Sequence, residues 1–157
     1  MRNVATLKES AGPDNLILPK IFISRVEDTR QMDSTVSPRM LIALLAQGVG
    51  GDVLPTIIKY IPRSLVMRAI GSTPTNFSKL FHRKRLSKHQ TEALYSLTKL
   101  WAELREFFGW NDCMVNQWIN QHLPAFDGAS PLELMSSQEG QELIKRQLQA
   151  MRYGNFD

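Results

Sequence analysis

The residues that most clearly indicate a chemistry are the cations in the middle of the chain. Residues 53–91 contain eight Lys or Arg side chains and no Asp or Glu, whereas the rest of the chain is richer in acids than in bases. A local concentration of cations without carboxylates is the electrostatic footprint of a polyanion-binding surface. The sequence therefore predicts that this stretch binds nucleic acid. The eight cations are Lys59, Arg63, Arg68, Lys79, Arg83, Lys84, Arg85 and Lys88.

Six of these cations lie within, or directly after, two short predicted helices that are joined by a tight turn. The first runs over 63–70, Gly71-Ser72 forms the turn, and Thr73-Pro74 caps and opens the second. In the second helix, apolar residues at 77, 80 and 81 are predicted to face the core. This order is typical of a helix-turn-helix, whose second helix enters the major groove. The predicted DNA-binding residues are Thr73, Thr75, Asn76, Ser78, Lys79, His82, Arg83, Lys84 and Arg85. One such unit offers little contact area, so we expect a homodimer on operator DNA.

The elements around this motif are predicted to be helices throughout, which makes the fold all-α. Helix-start signals recur at Ser37-Pro38, Ser87, Asn111 and Ser130, and the longest helix is predicted over 88–108. Asp52 is expected to cap a short helix, and a capping box that begins at Ser136 is expected to open the last helix.

Three regions follow from these signals. Residues 1–36 read poorly as helix and form an N-terminal arm, which is an extended arm, an edge strand or a disordered leader. Residues 37–109 form the helical domain with the helix-turn-helix, and residues 110–157 form a small C-terminal domain. That C-terminal domain is acidic, which suggests a second partner different from nucleic acid.

The sequence offers no constellation for catalysis. His82, His89 and His122 lie in separate predicted elements, and Cys113 is the single cysteine, so no internal disulfide or thiolate cluster can form. There is no Gly-rich phosphate loop. We expect no enzyme activity, no cofactor and no metal. The chain has neither a long apolar run nor a signal peptide, so a cytoplasmic protein without membrane contact is expected.

Several motifs of the second half resemble a known family. They are Trp118, Phe126-Asp-Gly128-Ala-Ser-Pro131, Glu139-Gly140 and Tyr153-Gly154, preceded by Ile61-Pro-Arg-Ser-Leu-Val-Met-Arg-Ala-Ile-Gly71. Together they are similar to antitoxins of the Xre/MbcA/ParS type. The resemblance implies an antitoxin whose helix-turn-helix represses its own operon and whose C-terminal domain inhibits a cognate RES-domain toxin that degrades NAD⁺.

The end of the chain is the expected contact with that toxin. The predicted toxin-binding residues are Arg152, Tyr153, Gly154, Asn155, Phe156 and Asp157. Aromatic side chains and two adjacent carboxylates could enter a pocket built for an anionic cofactor, whereas Trp118, Pro131 and Gly140 are expected to serve packing. Two alternatives remain open from the sequence. One is a stand-alone transcription regulator whose C-terminal domain dimerises or senses a ligand. The other is a protein-interaction module that has lost DNA contact.

Overall fold

The computed structural model describes residues 19–24 and 36–154. All regular elements within these residues are helices, which confirms the predicted all-α fold. In chain order they are α1 (Pro38–Gln47), α2 (Leu54–Ile57), α3 (Arg63–Ala69), α4 (Pro74–Leu80), α5 (Lys88–Phe107), α6 (Asp112–Ile119), α7 (Pro131–Leu134) and α8 (Gln138–Tyr153), with 3-10 turns at Gly51–Val53 and Pro124–Phe126. Residues 19–24 are helical as well.

Side-chain caps determine where most of these helices begin. Each capping oxygen accepts a bond from a backbone N–H that has no partner within the helix. The predicted caps are confirmed at Ser37, Thr73, Ser87, Asn111 and Ser130. Ser87 and Gln90 form the reciprocal capping box, with bonds of 3.1 and 3.2 Å.

Two predicted caps are wrong. Asp52 lies inside the 3-10 turn, and α2 begins after Val53 without a side-chain cap. The last helix is capped by Ser137, whose hydroxyl accepts a bond of 3.0 Å from the N–H of Gly140. Ser136 is therefore one residue too early. The Ser136 prediction failed because the adjacent Ser137 offers the same signal in sequence, whereas Asp52 lies in the 3-10 turn that directly precedes α2.

Helix α5 is the centre of the core. Its buried positions recur at the three- and four-residue spacing of a helix face that is covered by other helices. Helices α1, α3, α6 and α8 all pack against it. The buried side chains of α5 are Thr91, Leu94, Leu97, Thr98, Leu100, Trp101, Leu104 and Arg105.

The N-terminal region contributes to this core, which the sequence did not indicate. Residues 19–24 are helical, so the expectation of a poorly helical arm is wrong for this segment. Phe22 is fully buried and meets the ring of Tyr95 edge-on at 6.1 Å. The remainder of the predicted arm, residues 1–18 and 25–35, lies outside the described residues.

A buried cation holds the connection between α5 and α6, where the sequence placed a domain boundary. The guanidinium of Arg105 is 4% exposed, and its Nε lies 2.9 Å from a carboxylate oxygen of Asp112. The central carbon of this guanidinium, Cζ, lies 5.6 Å from the ring centre of Tyr60 and 5.2 Å from that of Trp110. Groups from both sides of residue 110 thus meet around one side chain. The division into two domains stays a prediction.

Candidate functional site

The basic loop, defined here as residues 82–85, is held in place through its backbone. The N–H of Gly51 donates to the carbonyl of Arg83 at 2.9 Å, and the N–H of Leu86 donates to the carbonyl of Val49 at 2.7 Å. All four side chains of the loop are exposed. The cations of the loop are therefore presented to solvent from a fixed backbone.

The bond between Gly51 and Arg83 requires glycine at position 51, because the backbone there lies directly against the end of α4. A Cβ at this residue would overlap the carbonyl of Leu80, at the end of α4. Any side chain would push the segment 48–51 away from the basic loop and weaken the bond to Arg83. Gly51 therefore helps to place the loop, whereas α1 has already ended at Gln47 with Gly48 as its cap.

Helix α4 directs its polar side chains outward and two of its apolar side chains into the core. Phe77 is 0% exposed and Leu80 is 5% exposed, which confirms their predicted place in the core. Phe81 is only partly buried and meets Phe77 edge-on at 5.2 Å. The predicted DNA-binding residues of this helix and its cap are all exposed, namely Thr73, Thr75, Asn76, Ser78 and Lys79.

Ser78 differs from the other predicted contacts because its hydroxyl already has a protein partner. Arg63 donates to the Ser78 Oγ at 3.1 Å. The same guanidinium lies 4.9 Å from the ring centre of Phe77 and 5.8 Å from that of Phe81. Arg63 therefore fixes α4 against α3, a role that the sequence did not reveal. The Ser78 hydroxyl retains its own hydrogen as a donor.

A cleft of about 290 Å³ opens beside α4. It is lined by Gly71, Ser72, Thr73, Asn76, Lys79, Leu80, Arg83 and Gln90. Two cations and several hydroxyl and amide groups face this space, and no carboxylate does. Such a lining suits an anionic oxygen group such as a phosphodiester. The cleft joins the predicted contacts of α4 to those of the basic loop.

The motifs of the C-terminal part serve packing, as the sequence predicted. Trp118 is 7% exposed and lies 5.7 Å from the ring of Phe108. Pro131 is buried at the start of α7. Gly140 is buried, and a Cβ at this position would overlap the backbone of Leu134. Helices α7 and α8 can approach this closely only with glycine there.

The connection between α6 and α7 is a tight loop with its own bonds. The Nδ1 of His122 lies 2.8 Å from the carbonyl oxygen of Gly128, and the N–H of Leu123 donates to the carbonyl of Ala129 at 3.2 Å. Asp127 adopts the left-handed conformation with φ of 53°. Phe126 inserts from this loop into the core at 7% exposure. His122 thus shapes the loop.

The end of α8 presents an accessible surface. Tyr153, the last residue of the helix, is 76% exposed, and Leu143, ten residues earlier in the same helix, is 42% exposed. The guanidinium of Arg152 lies 5.9 Å from the ring centre of Phe107, so α8 is also anchored to α5 at this end. Gly154 ends the helix in the left-handed conformation, with φ of 70°. Of the predicted toxin-binding residues, Asn155, Phe156 and Asp157 lie outside the described residues.

A hydrogen bond joins helix α3 to helix α7. The Nη2 of Arg68, on α3, donates to the carbonyl of Leu132, on α7, at 3.0 Å. The sequence counted Arg68 only among the cations of the basic stretch. In the structure it ties the first helix of the predicted helix-turn-helix to the C-terminal helices.

No group of three or more His, Cys, Asp or Glu side chains suited to a metal occurs in the part of the chain that the structure describes. Cys113 is exposed on α6. In the same residues, no single helix has the length and apolarity to cross a membrane; α1 and the segment Gly51–Ile57 meet these criteria only as a pair bent by 99°.

A family model of known proteins matches the C-terminal part of the chain. Residues 103–154 match the family model described as the antitoxin Xre/MbcA/ParS C-terminal toxin-binding domain. This range begins inside α5 and ends after α8. It therefore contains the tight loop between α6 and α7, the close contact between α7 and α8, and the exposed Tyr153. A toxin-binding domain of an antitoxin is therefore built on these helices.

The relative found among curated proteins agrees with that class. A protein of Sphingobium sp. (strain YBL2), named "Prs ADP-ribosylating antitoxin", is 27% identical over 131 residues, which cover 76% of this chain and 82% of that protein. No solved structure matches the chain. Both matches support an antitoxin of the Xre/MbcA/ParS type, which confirms the resemblance found in the sequence.

Proposed function

We propose that this antitoxin binds and inhibits a RES-domain toxin that consumes NAD⁺. The observation that carries the proposal is the toxin-binding domain over residues 103–154. The Sphingobium relative adds the chemistry, because its name links an antitoxin to ADP-ribosylation. ADP-ribosylation breaks NAD⁺ at the bond to nicotinamide, as NAD⁺ degradation also does. The shared substrate of both reactions is NAD⁺.

Inhibition works through the end of α8. Tyr153 projects into solvent from the last helical residue, and Arg152 secures that end of the helix against Phe107. The chain continues through Gly154 to Asn155, Phe156 and Asp157. In this proposal the aromatic and carboxylate groups of residues 152–157 enter the toxin's active site. The antitoxin supplies no catalysis and needs no cofactor, and it acts in the cytoplasm.

The same protein represses its own operon as a homodimer. The support is the exposed polar face of α4, the cleft that joins it to the basic loop, and the bonds that fix this loop to residues 49–51. Residues 37–109 form the DNA-binding unit and residues 110–157 the toxin-binding unit. Phosphates of operator DNA contact the cations, and α4 lies in the major groove.

Co-expression with the adjacent reading frame tests toxin inhibition. The expected result is a stable complex in size exclusion and a normal cellular NAD⁺ level, with NAD⁺ collapse when the neighbour is expressed alone. Labelled NAD⁺ then separates the two reactions, since transfer leaves ADP-ribose on a protein and degradation leaves it free. No complex and no change in NAD⁺ would instead favour a stand-alone transcription regulator.

Substitutions in the cleft test the division of labour. Lys79→Ala and Arg83→Ala are expected to weaken operator binding and to leave toxin inhibition intact, because both side chains lie far from the matched domain in sequence and face solvent. Lys99→Ala, which removes an exposed cation of α5, serves as the control. Loss of inhibition in either cleft variant would contradict two separate surfaces.

A shortened chain tests the role of the C-terminus. Removal of residues 153–157 is expected to release toxin activity while operator binding is retained. Unchanged inhibition by the shortened protein would exclude this mode of blocking the active site.

A further inference from the structure

The first residue of α3, Arg63, holds a side chain of α4 in place. Its Nη2 donates a hydrogen bond of 3.1 Å to the Oγ of Ser78. Its Cζ lies over two aromatic rings, 4.9 Å from the ring centre of Phe77 and 5.8 Å from that of Phe81. A cation over a ring is attracted by the electrons of the ring face. The guanidinium therefore has a defined position, although the side chain is exposed.

Ser78 lies on the side of α4 that faces away from the core. Thr75, Ser78 and His82 are three and four residues apart and all are exposed, whereas Phe77 and Leu80 are buried. Residues at this spacing share one side of a helix. Within the residues that the structure describes, the hydroxyl accepts the bond from α3 and donates to no other protein group. Its hydrogen is therefore available to an acceptor outside the chain.

We propose that Arg63 is a positioning residue for operator recognition, which acts on DNA through the hydroxyl of Ser78. A charged donor at the oxygen restricts the rotation of the hydroxyl and polarises its O–H, which strengthens the bond that this O–H donates. The acceptor is the edge of a base in the major groove, where serine can bond several bases. The inference rests on the repressor function proposed above and assigns two side chains to its recognition step.

The alternative role for Arg63 is a direct contact with a DNA phosphate, and the two roles respond differently to lysine. A phosphate contact depends mainly on charge, which a lysine ammonium also supplies. The position of the Ser78 hydroxyl instead depends on a planar guanidinium that bonds and stacks in one geometry. Lysine cannot reproduce that geometry. Arg63→Lys therefore keeps the charge and removes the positioning.

Fluorescence anisotropy with the full chain tests the proposal on two duplexes of equal length. One carries the promoter region of the chain's own reading frame, and the other carries a random sequence. Arg63→Lys and Ser78→Ala are each expected to raise the Kd for the promoter about 5–50-fold and to leave the Kd for the random duplex within about twofold of the wild type. Arg146→Lys, at an exposed arginine of α8, is the matched control and should bind both duplexes like the wild type.

The double variant tests whether Arg63 acts through Ser78. Both single substitutions remove the same bond, so the second should weaken promoter binding by less than about twofold once the first is present. Thermal unfolding of all variants checks that the fold is retained. Losses that multiply in the double variant would show that Arg63 acts on DNA independently of Ser78, and they would overturn the proposal.

Three other outcomes would also overturn it. Wild-type promoter affinity in Arg63→Lys, with a salt slope reduced by about 0.9 in Arg63→Gln, would assign this arginine to a phosphate. Equal losses on both duplexes would show that it only supports the fold of α4. A wild-type chain that binds neither duplex would refute the repressor function and this inference together. Toxin inhibition is measured separately by NAD⁺ consumption, so its result is independent of all three.

Discussion

Gly140 is a position where the structure leaves no room for a side chain. A Cβ there would lie 2.6 Å from the carbonyl carbon of Leu134 and 2.9 Å from its Cα. Both atoms belong to the backbone of α7, so no side-chain rotation can relieve the contact. Favourable carbon contacts begin near 3.5 Å, which means that α7 and α8 would have to separate by roughly 1 Å.

The expected effect of Gly140→Ala follows from two opposing terms. Overlap in a packed region costs about 1–3 kcal/mol. Displacement of α8 also strains its N-terminal cap, because the capping oxygen of Ser137 accepts its bond from the N–H of Gly140. Alanine in a helix instead gains at most about 1 kcal/mol over glycine. We therefore expect the free energy of unfolding to fall by about 2 kcal/mol, which corresponds to a Tm lower by about 4–8 °C for a chain of this size.

Urea unfolding followed by tryptophan fluorescence measures this change, because Trp101 and Trp118 are both buried. Glu139→Ala is the control, since Glu139 is the exposed neighbour in the same helical turn and should change stability by less than about 0.5–1 kcal/mol. A Gly140→Ala variant as stable as the wild type would refute the close approach of α7 and α8. It would also remove the packing reason for the Glu-Gly motif.

Three further predictions concern the other parts of the structure. Ser137→Ala should lower the free energy of unfolding by about 1 kcal/mol and Ser136→Ala by less than half of that, since only the first side chain caps α8; equal effects would reject this cap. Arg83→Gln should reduce the slope of log affinity against log salt for operator binding by about 0.9 for each phosphate that the variant no longer neutralises, whereas Lys99→Gln should leave the slope unchanged in the same titration. Asp112→Asn should lower the free energy of unfolding by about 1–2 kcal/mol, because it removes the negative charge beside the buried guanidinium of Arg105; the exposure of about half of the Asp112 side chain limits the loss. An unchanged Tm would show that this ion pair contributes nothing to stability.

Local signals made most of the helices predictable from the sequence. An N-cap and its first-turn partners lie within four residues of one another, so Thr73, Ser87 and Ser130 could be recognised without knowing the fold. The same signals failed at Asp52 and Ser136. There a neighbouring residue or the path of the chain decided where the helix starts, and both depend on contacts distant in sequence.

Contacts between distant segments could not be predicted. The bond from Arg63 to Ser78, the bond from Arg68 to Leu132 and the burial of Phe22 each join elements whose proximity only the fold creates. An arginine in a basic stretch looks like a phosphate ligand in sequence, even where its guanidinium is committed to another helix. Neither Arg63 nor Arg68 was among the predicted DNA-binding residues, all of which are exposed in the structure, and the DNA-binding role of those residues stays a prediction.

The sequence already separated the expected roles of the C-terminal motifs, and the structure confirms the packing role of the buried ones. Trp118 and Gly140 support the packing of the domain, whereas Tyr153 is accessible to a partner. The accessible end of α8 is accordingly the place to look for inhibition.

Titration of the purified toxin with the full chain tests the central claim most directly. NAD⁺ consumption is measured at increasing ratios of antitoxin to toxin, with wild type and Tyr153→Ala compared. The account predicts that activity falls to zero at a fixed stoichiometric ratio for the wild type. It predicts that the variant, which lacks the most exposed aromatic group of α8, needs a clear excess. Undiminished NAD⁺ consumption at saturating wild-type antitoxin would contradict the account.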